Sequence, residues 1–458
     1  MRLIEELARN VLKTRFDSFE KETVEQAKNR IIDVVGCLIA GANGPGCRMM
    51  ADLVKRWGGA KESTILVHGI KAPAHNVAMV NTIMVRSFDF EPVEPYVEGI
   101  ALPAHISGTT IPTALAVAEQ KAASGQELLT ALILGDDLAS RLLAASGFSF
   151  DLGWDNTGTV NMFGATAIAG RLWRLDEGQM LNAFGIVLNQ MAGSFQSVYD
   201  GTHCFKLPQA LAARAGIFSV ELARGGFTGV KDPLLSKHGY FTLYCRNPRP
   251  DAVTKDLGKT FYADRTFKPY PCCRLTHAPI DCALELVHTH EIRPEEINSV
   301  TLNVTPLAYQ SFVGQPFEVG DVPQANAAFS LRYTVANALL RRSVALEHFT
   351  EDFIRDPRIL ALANSMNLAG TMPPEKPFTT DLEVTMMDGR TFSAHVDIPK
   401  GDAIHHPLSE QEIKEKFRSN VRFSGAVPKE NAEKALRMIE TLDQVDDVRE
   451  IVSLLVGG

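Results

Sequence analysis

Apolar residues recur at helical spacing through most of the first 265 positions. Between residues 20 and 40, Val24, Ala27, Ile31, Val34, Val35 and Leu38 form one stripe, which the stretch 41–46 interrupts with glycine. Leu3, Ile4, Leu7, Val11 and Leu12 repeat the pattern at the start of the chain. The same period predicts helices over 77–88, 110–123, 126–145, 163–173, 177–191 and 209–224. Small residues such as Ala165, Ala167, Ala169 and Gly170 fall at helical spacing and let backbones approach closely. Together these features predict a tightly packed helical bundle.

The texture changes near Thr266. Val300, Leu302 and Val304 alternate as in a strand over 299–304. Segments 382–387 and 391–398 flank Asp388-Gly389, the strongest short hairpin signal in the chain. Helical patterns over 274–288, 326–341 and 346–353 accompany these strands. After Pro399 the helical period returns over 409–418, 429–441 and 445–455. The expected fold is mainly α with an inserted α+β unit, a large helical bundle domain plus a smaller α+β domain. Its boundaries are expected at 1–265 for the first part of the helical domain, 266–404 for the insertion, and 405–458 for helices completing the first domain. Crevices between domains commonly hold small ligands.

Composition removes several function classes. The 458 residues carry 46 Lys+Arg against 54 Asp+Glu, a net charge of −8, which argues against a nucleic-acid partner. The most apolar run, 31–42, is short and contains Asp33, so no membrane span is expected. Seven cysteines without a C-x-x-C pair fit reduced thiols, and Glu5 and Glu6 disfavour a leader peptide; both predict a cytoplasmic protein. Phosphate-loop and dinucleotide signatures are absent, so no cofactor is implied. His288, His290, His405 and His406 lack carboxylate partners at metal-ligand spacing, and adjacent Cys272 and Cys273 suit a cluster poorly, so no metal is expected.

Chemistry is left to polar residues in loop-like settings. Asp89 ends an apolar helix. His105 directly precedes another, where a helix N-terminus favours neutral imidazole beside a bound anion; it reads equally as a cap or a buried, hydrogen-bonded histidine. His203 and Lys206 lie on the turn before the 209–224 helix, where a lysine can pair a carboxylate or simply face solvent. Arg274 and His277, three residues apart, share one helix face. Tyr333 sits within a helix, where its ring is core by default and its hydroxyl is the functional option.

Several of these stretches resemble the MmgE/PrpD family, which includes 2-methylcitrate dehydratase, cis-aconitate decarboxylase and iminodisuccinate epimerase. The likeness is carried by Asp89 at its helix end, Pro103-Ala-His105-Ile-Ser-Gly108, Gly164-Ala-Thr-Ala-Ile-Ala-Gly-Arg-Leu172, Lys268-Pro-Tyr-Pro-Cys-Cys-Arg-Leu-Thr-His277 and Phe329-Ser-Leu-Arg-Tyr333. It covers essentially the whole chain. The resemblance implies a homodimer without metal, a lid formed by the inserted α+β unit, and a pocket beneath it for a small polycarboxylate. His105, with Asp89 orienting it, is then the acid/base, Lys206 and Arg274 clamp carboxylates, and Tyr333 donates a hydrogen bond or acts as a second acid. His277, Asp155 and His203 complete the implied substrate contacts, with His105 and Lys206 facing one cavity.

The sequence also departs from the family pattern. Ile106 stands where a proline is usual, Asp155 where cis-aconitate decarboxylases carry a histidine, and the segment from Asp89 to His105 is longer and more acidic. Around Lys206 the family's order is shifted by one residue. The implied activity is a hydro-lyase of the 2-methylcitrate dehydratase kind. A decarboxylase, an epimerase and a non-catalytic binding homologue are the alternatives.

Overall fold

In the computed structural model, which describes residues 2–457, two long helices, Lys21–Gly41 and Gly125–Ser146, anchor the core. The second begins with a capping box, in which Ser124 Oγ accepts from Glu127 N and the Glu127 carboxylate accepts from Ser124 N. It packs against Val160–Leu172, which in turn meets Leu207–Arg224. Small residues set these spacings. A Cβ at Gly135 would lie 2.4 Å from Ile168, and one at Gly216 would lie 2.5 Å from Ala165, so side chains there would drive the helices apart.

The chain's end returns to this bundle. Helix Glu410–Ser424 lies along Lys21–Gly41, with the Lys416 ammonium 2.7 Å from buried Asp33 and Phe417 against Gly36. Between these parts, a four-stranded sheet runs in the order Asn367–Ala369, Ile297–Asn303, Thr380–Met386, Thr391–Val396. Its first pair is parallel and the others antiparallel, and the hairpin closes at Asp388-Gly389 with Gly389 at φ +89°. Val300, Leu302, Leu382 and Val384 bury one face, against which helix His277–Thr289 packs. The fold is mainly α with a smaller α+β portion. Among the described residues, no helix is long and apolar enough to cross a membrane.

Several expected elements come out differently. Residues 326–341 form two helices, Pro323–Ala328 and Leu331–Arg341, because Phe329 and Ser330 leave the helical region and Ser330 Oγ caps Tyr333 N at 3.2 Å. Residues 346–353 divide into a 3₁₀ turn, Leu346–Phe349, and the short helix Glu351–Ile354. A small sheet absent from the sequence reading pairs Val93–Val97 with both Ile100–Ala101 and Asp264–Thr266. It ties the segment after Asp89 to the segment before Lys268 by pairing Val93 with Thr266 and Pro95 with Asp264.

Candidate functional site

Helix Ala74–Val85 is buried almost throughout, passes into the 3₁₀ turn Arg86–Phe88 and ends at Asp89. Asp89 adopts left-handed backbone angles, φ +50° and ψ +41°, a conformation aspartate tolerates better than most side chains. The Arg86 guanidinium contacts Asp89 Oδ1. Lys268 Nζ donates to the Asp89 carbonyl at 2.7 Å and lies 3.1 Å from Oδ1. Burial pushes the Lys268 ammonium down to about 8, against the pull of Glu91.

Glu91 is fully buried. Its Oε1 faces His105 Nδ1 at 2.9 Å, Gln209 Nε2 at 3.1 Å and Arg86 Nη1 at 3.4 Å. Burial alone would raise its pKa, but Arg86, His105 and Lys268 outweigh that and hold the carboxyl well below its ordinary range. The ionised Glu91 accepts from Nδ1–H, which leaves Nε2 as the basic nitrogen, 3.7 Å from Asp89 Oδ1. Burial and the Arg86 charge push the His105 pKa down despite Glu91, so the ring rests neutral. Formally, Arg86 and Lys268 balance Asp89 and Glu91, and a proton arriving on His105 adds one positive charge.

The main chain around His105 is held on both sides. Asp264 Oδ2 accepts from Ile106 N at 2.9 Å and Ser107 N at 2.7 Å, capping helix Ser107–Lys121 from the small sheet. Asn161 Nδ2 donates to His105 O at 2.8 Å. Gly108 brings this helix start against Glu91 and Gln209, where a Cβ would sit 2.5 Å from Gln209 Oε1.

Beside His105 lies a cavity of 220 Å³ between the helical bundle and the 266–404 segment. Asp89, His105, Asp155 and Arg274 all line it, with Arg86, Glu94 and Asn156. Asp155 Oδ1 accepts from Thr157 N and Oγ1, yet burial raises its pKa. Arg274 donates to Lys400 O at 2.7 Å and lies 3.5 Å from Glu94, its guanidinium 5.2 Å from the centre of the Phe378 ring.

Four other expected residues are elsewhere. Lys206 does not line the cavity. It is buried, with Nζ donating to Pro45 O at 2.7 Å and Ser87 Oγ at 3.0 Å, so the expectation that it shares a cavity with His105 is not met. His277 stands behind Arg274, with Nδ1 3.3 Å from Nη1 and Nε2 3.2 Å from Cys272 O. The Tyr333 hydroxyl donates to His348 O while its ring packs between Phe317 and Phe349. His203 is exposed beside Gly46. The paired lysine and arginine clamp is therefore not assembled at the cavity.

Arg86, Glu91 and Lys268 were not read as site residues from the sequence. Lys268 opens the Lys-Pro-Tyr-Pro-Cys-Cys-Arg stretch, and Arg86 precedes Asp89 by one turn, so both signals were present. Asp89, Glu91 and His105 bring potential ligand atoms within 4.8 Å of one another. Arg86 and Lys268 already occupy the same oxygens, and their charges oppose a divalent ion there. A wider groove bordered by Arg15, Asp17, Glu127 and Arg174 lies apart from this cluster, and its charges pair with one another.

Residues 5–252 match the MmgE/PrpD N-terminal domain and residues 270–444 the MmgE/PrpD C-terminal domain. The chain is 23% identical over 481 residues to the cis-aconitate decarboxylase-like protein oryM of Aspergillus oryzae, covering 99% of this chain and 97% of that one. It is 24% identical over 474 residues to a cis-aconitate decarboxylase of Aspergillus terreus, covering 96% and 93%.

Proposed function

The chain belongs to the MmgE/PrpD family, and from that premise we propose a cofactor-independent lyase that eliminates water from a carboxylate substrate. His105 Nε2 takes the proton from the carbon beside the carboxylate. The C–H electron pair becomes the new C=C bond, the neighbouring C–O bond breaks, and the leaving hydroxyl takes a proton from Asp155 to depart as water. Asp155 suits the acid role because it lines the cavity and burial favours its protonated form. As negative charge spreads onto the substrate carboxylate, the imidazolium forming between Glu91 and Asp89 supplies the opposing charge. Proton exchange with solvent after product release resets both groups.

The observation that carries this reading is the 2.9 Å contact that fixes His105 Nδ1 on buried Glu91 and leaves Nε2 as a base beside the cavity. Decarboxylation is the second reading, favoured by the activity named for the two Aspergillus relatives. It needs a proton donor to the new carbanion, a role Asp155 would fill, and it leaves the base at His105 Nε2 with no proton to take. NMR of reactions in D₂O separates the two. Loss of water with deuterium exchange beside the carboxylate supports elimination, whereas loss of CO₂ supports decarboxylation. Full activity in His105→Ala would overturn both versions of the site.

A further inference from the structure

Building on the lyase reading, we propose that the substrate is a small monocarboxylate bearing an aryl-sized apolar group, rather than a di- or tricarboxylate. The charges of the cavity wall come first. Arg86 and Lys268 are matched by Asp89 and Glu91, and Arg274 is matched by Glu94 and committed to two backbone carbonyls, Lys400 O and Pro399 O. Asp155 adds an acid whose Oδ1 is met by Thr157 rather than by a cation. Three carboxylates entering this wall would lose their hydration without surplus positive charge to replace it. One is accommodated: Arg274 Nε is buried, makes no hydrogen bond and stands 3.5 Å from Glu94 Oε2, so a single carboxylate oxygen that takes the place of this long contact completes it.

Most of the remaining wall is apolar. Phe150, Phe195, Phe312, Phe329 and Phe378 border the space, with Leu275 beside Arg274. Aromatic walls hold flat apolar groups through ring contacts and exclude water from the reacting end. At 220 Å³ the cavity is smaller than the roughly 300–1,000 Å³ usual for ligand pockets, which keeps the substrate small.

The approach points the same way. An outer pocket of 350 Å³ shares Val198, Phe312 and Phe329 with the cavity. Among the described residues bordering it are Asp200, Glu318 and Asp321, and no lysine, arginine or histidine. A cleft lined by one sign of charge repels ions of that sign, an effect that salt screens.

Calorimetry on the full chain at low salt, with 3-phenylpropanoate and tricarballylate as probes, tests the substrate class. The phenyl acid is expected to bind at least about tenfold tighter; equal or tighter tricarballylate binding overturns the proposal. Phe195→Ala should weaken the phenyl acid severalfold and leave tricarballylate unchanged. The exposed set Asp200→Asn, Glu318→Gln and Asp321→Asn should tighten tricarballylate binding at low salt only. No response in that set overturns the role given to the outer pocket. Reactions of 3-hydroxy-3-phenylpropanoate and citrate in D₂O separate this proposal from the lyase reading. Selective phenyl-acid binding without proton exchange retains the substrate class and removes the lyase. Water loss from citrate alone retains the lyase and removes the substrate class.

Discussion

Glu91 accepts a 2.9 Å hydrogen bond from His105 Nδ1 while three positively charged or polar partners keep its carboxylate ionised. The pair sets the tautomer of the ring and so decides which nitrogen meets the substrate. His105→Ala is expected to lower kcat by about 10²–10⁴, the usual worth of a positioned acid or base. Glu91→Gln keeps a hydrogen-bonding group but releases the tautomer, and its loss should be smaller. Equal kcat for wild type and His105→Ala would show that another group moves the proton.

The direction of the His105 shift also fixes the acid limb of the rate profile. A base whose pKa is pushed below the ordinary 6.5 stays unprotonated as pH falls through that value. On the acid side kcat/KM is therefore expected to show no fall centred near 6.5, while ionisation of Asp155 sets the alkaline limb. A fall centred near 6.5 would mean that the ring titrates as a free histidine.

Asp264 gives a stability prediction. Burial outweighs its two backbone donors, and the Asp136 charge adds to it, pushing its carboxyl up to about 8 from an ordinary 3.8. The folded state then binds the proton more tightly than the unfolded chain. This contribution is complete below pH 3.8 and is lost as pH rises to 8, by at most about 1.4 kcal/mol per pH unit. Asp264→Asn retains an acceptor for Ile106 N and Ser107 N without titrating. Its stability relative to wild type, from denaturant unfolding, should improve from pH 5 to pH 8; a constant difference would argue against a raised pKa.

Lys206 is expected to matter first for folding. Lys206→Met leaves Pro45 O and Ser87 Oγ without their buried donor and should cost about 1.5–3 kcal/mol in denaturant unfolding. Its kcat should fall less than that of His105→Ala. A kcat loss as large as that variant's, with unchanged stability, would return Lys206 to the chemistry.

Arg274→Lys keeps the charge but loses the planar fork that spans Lys400 O and Pro399 O. KM for a carboxylate substrate is expected to rise about tenfold with a smaller change in kcat. The opposite split would place Arg274 in transition-state stabilisation rather than binding.

Metal dependence offers a last check. Because Arg86 and Lys268 sit on the oxygens of Asp89 and Glu91, EDTA treatment is expected to leave activity unchanged. Loss of activity that added zinc or magnesium restores would overturn that expectation.

Local patterns determined much of this protein. The helical period of Val24 to Leu38, the small-residue spacing through Gly164 and Gly170, and the Asp388-Gly389 hairpin were legible because each depends on neighbours a few residues away. The places of Asp89 and His105 at helix boundaries were legible for the same reason. Tertiary structure decided what those residues meet. Glu91 and Gln209 join His105, Lys268 reaches back to Asp89, and Asp264 caps the helix after His105, through contacts spanning between 14 and 179 positions. It also carried Lys206 and Tyr333 away from the cavity, since their polar atoms found buried partners in Pro45, Ser87 and His348. A residue type and its spacing record which chemistry is available. Which partner satisfies a buried charge depends on close packing between distant segments, and no local period encodes it.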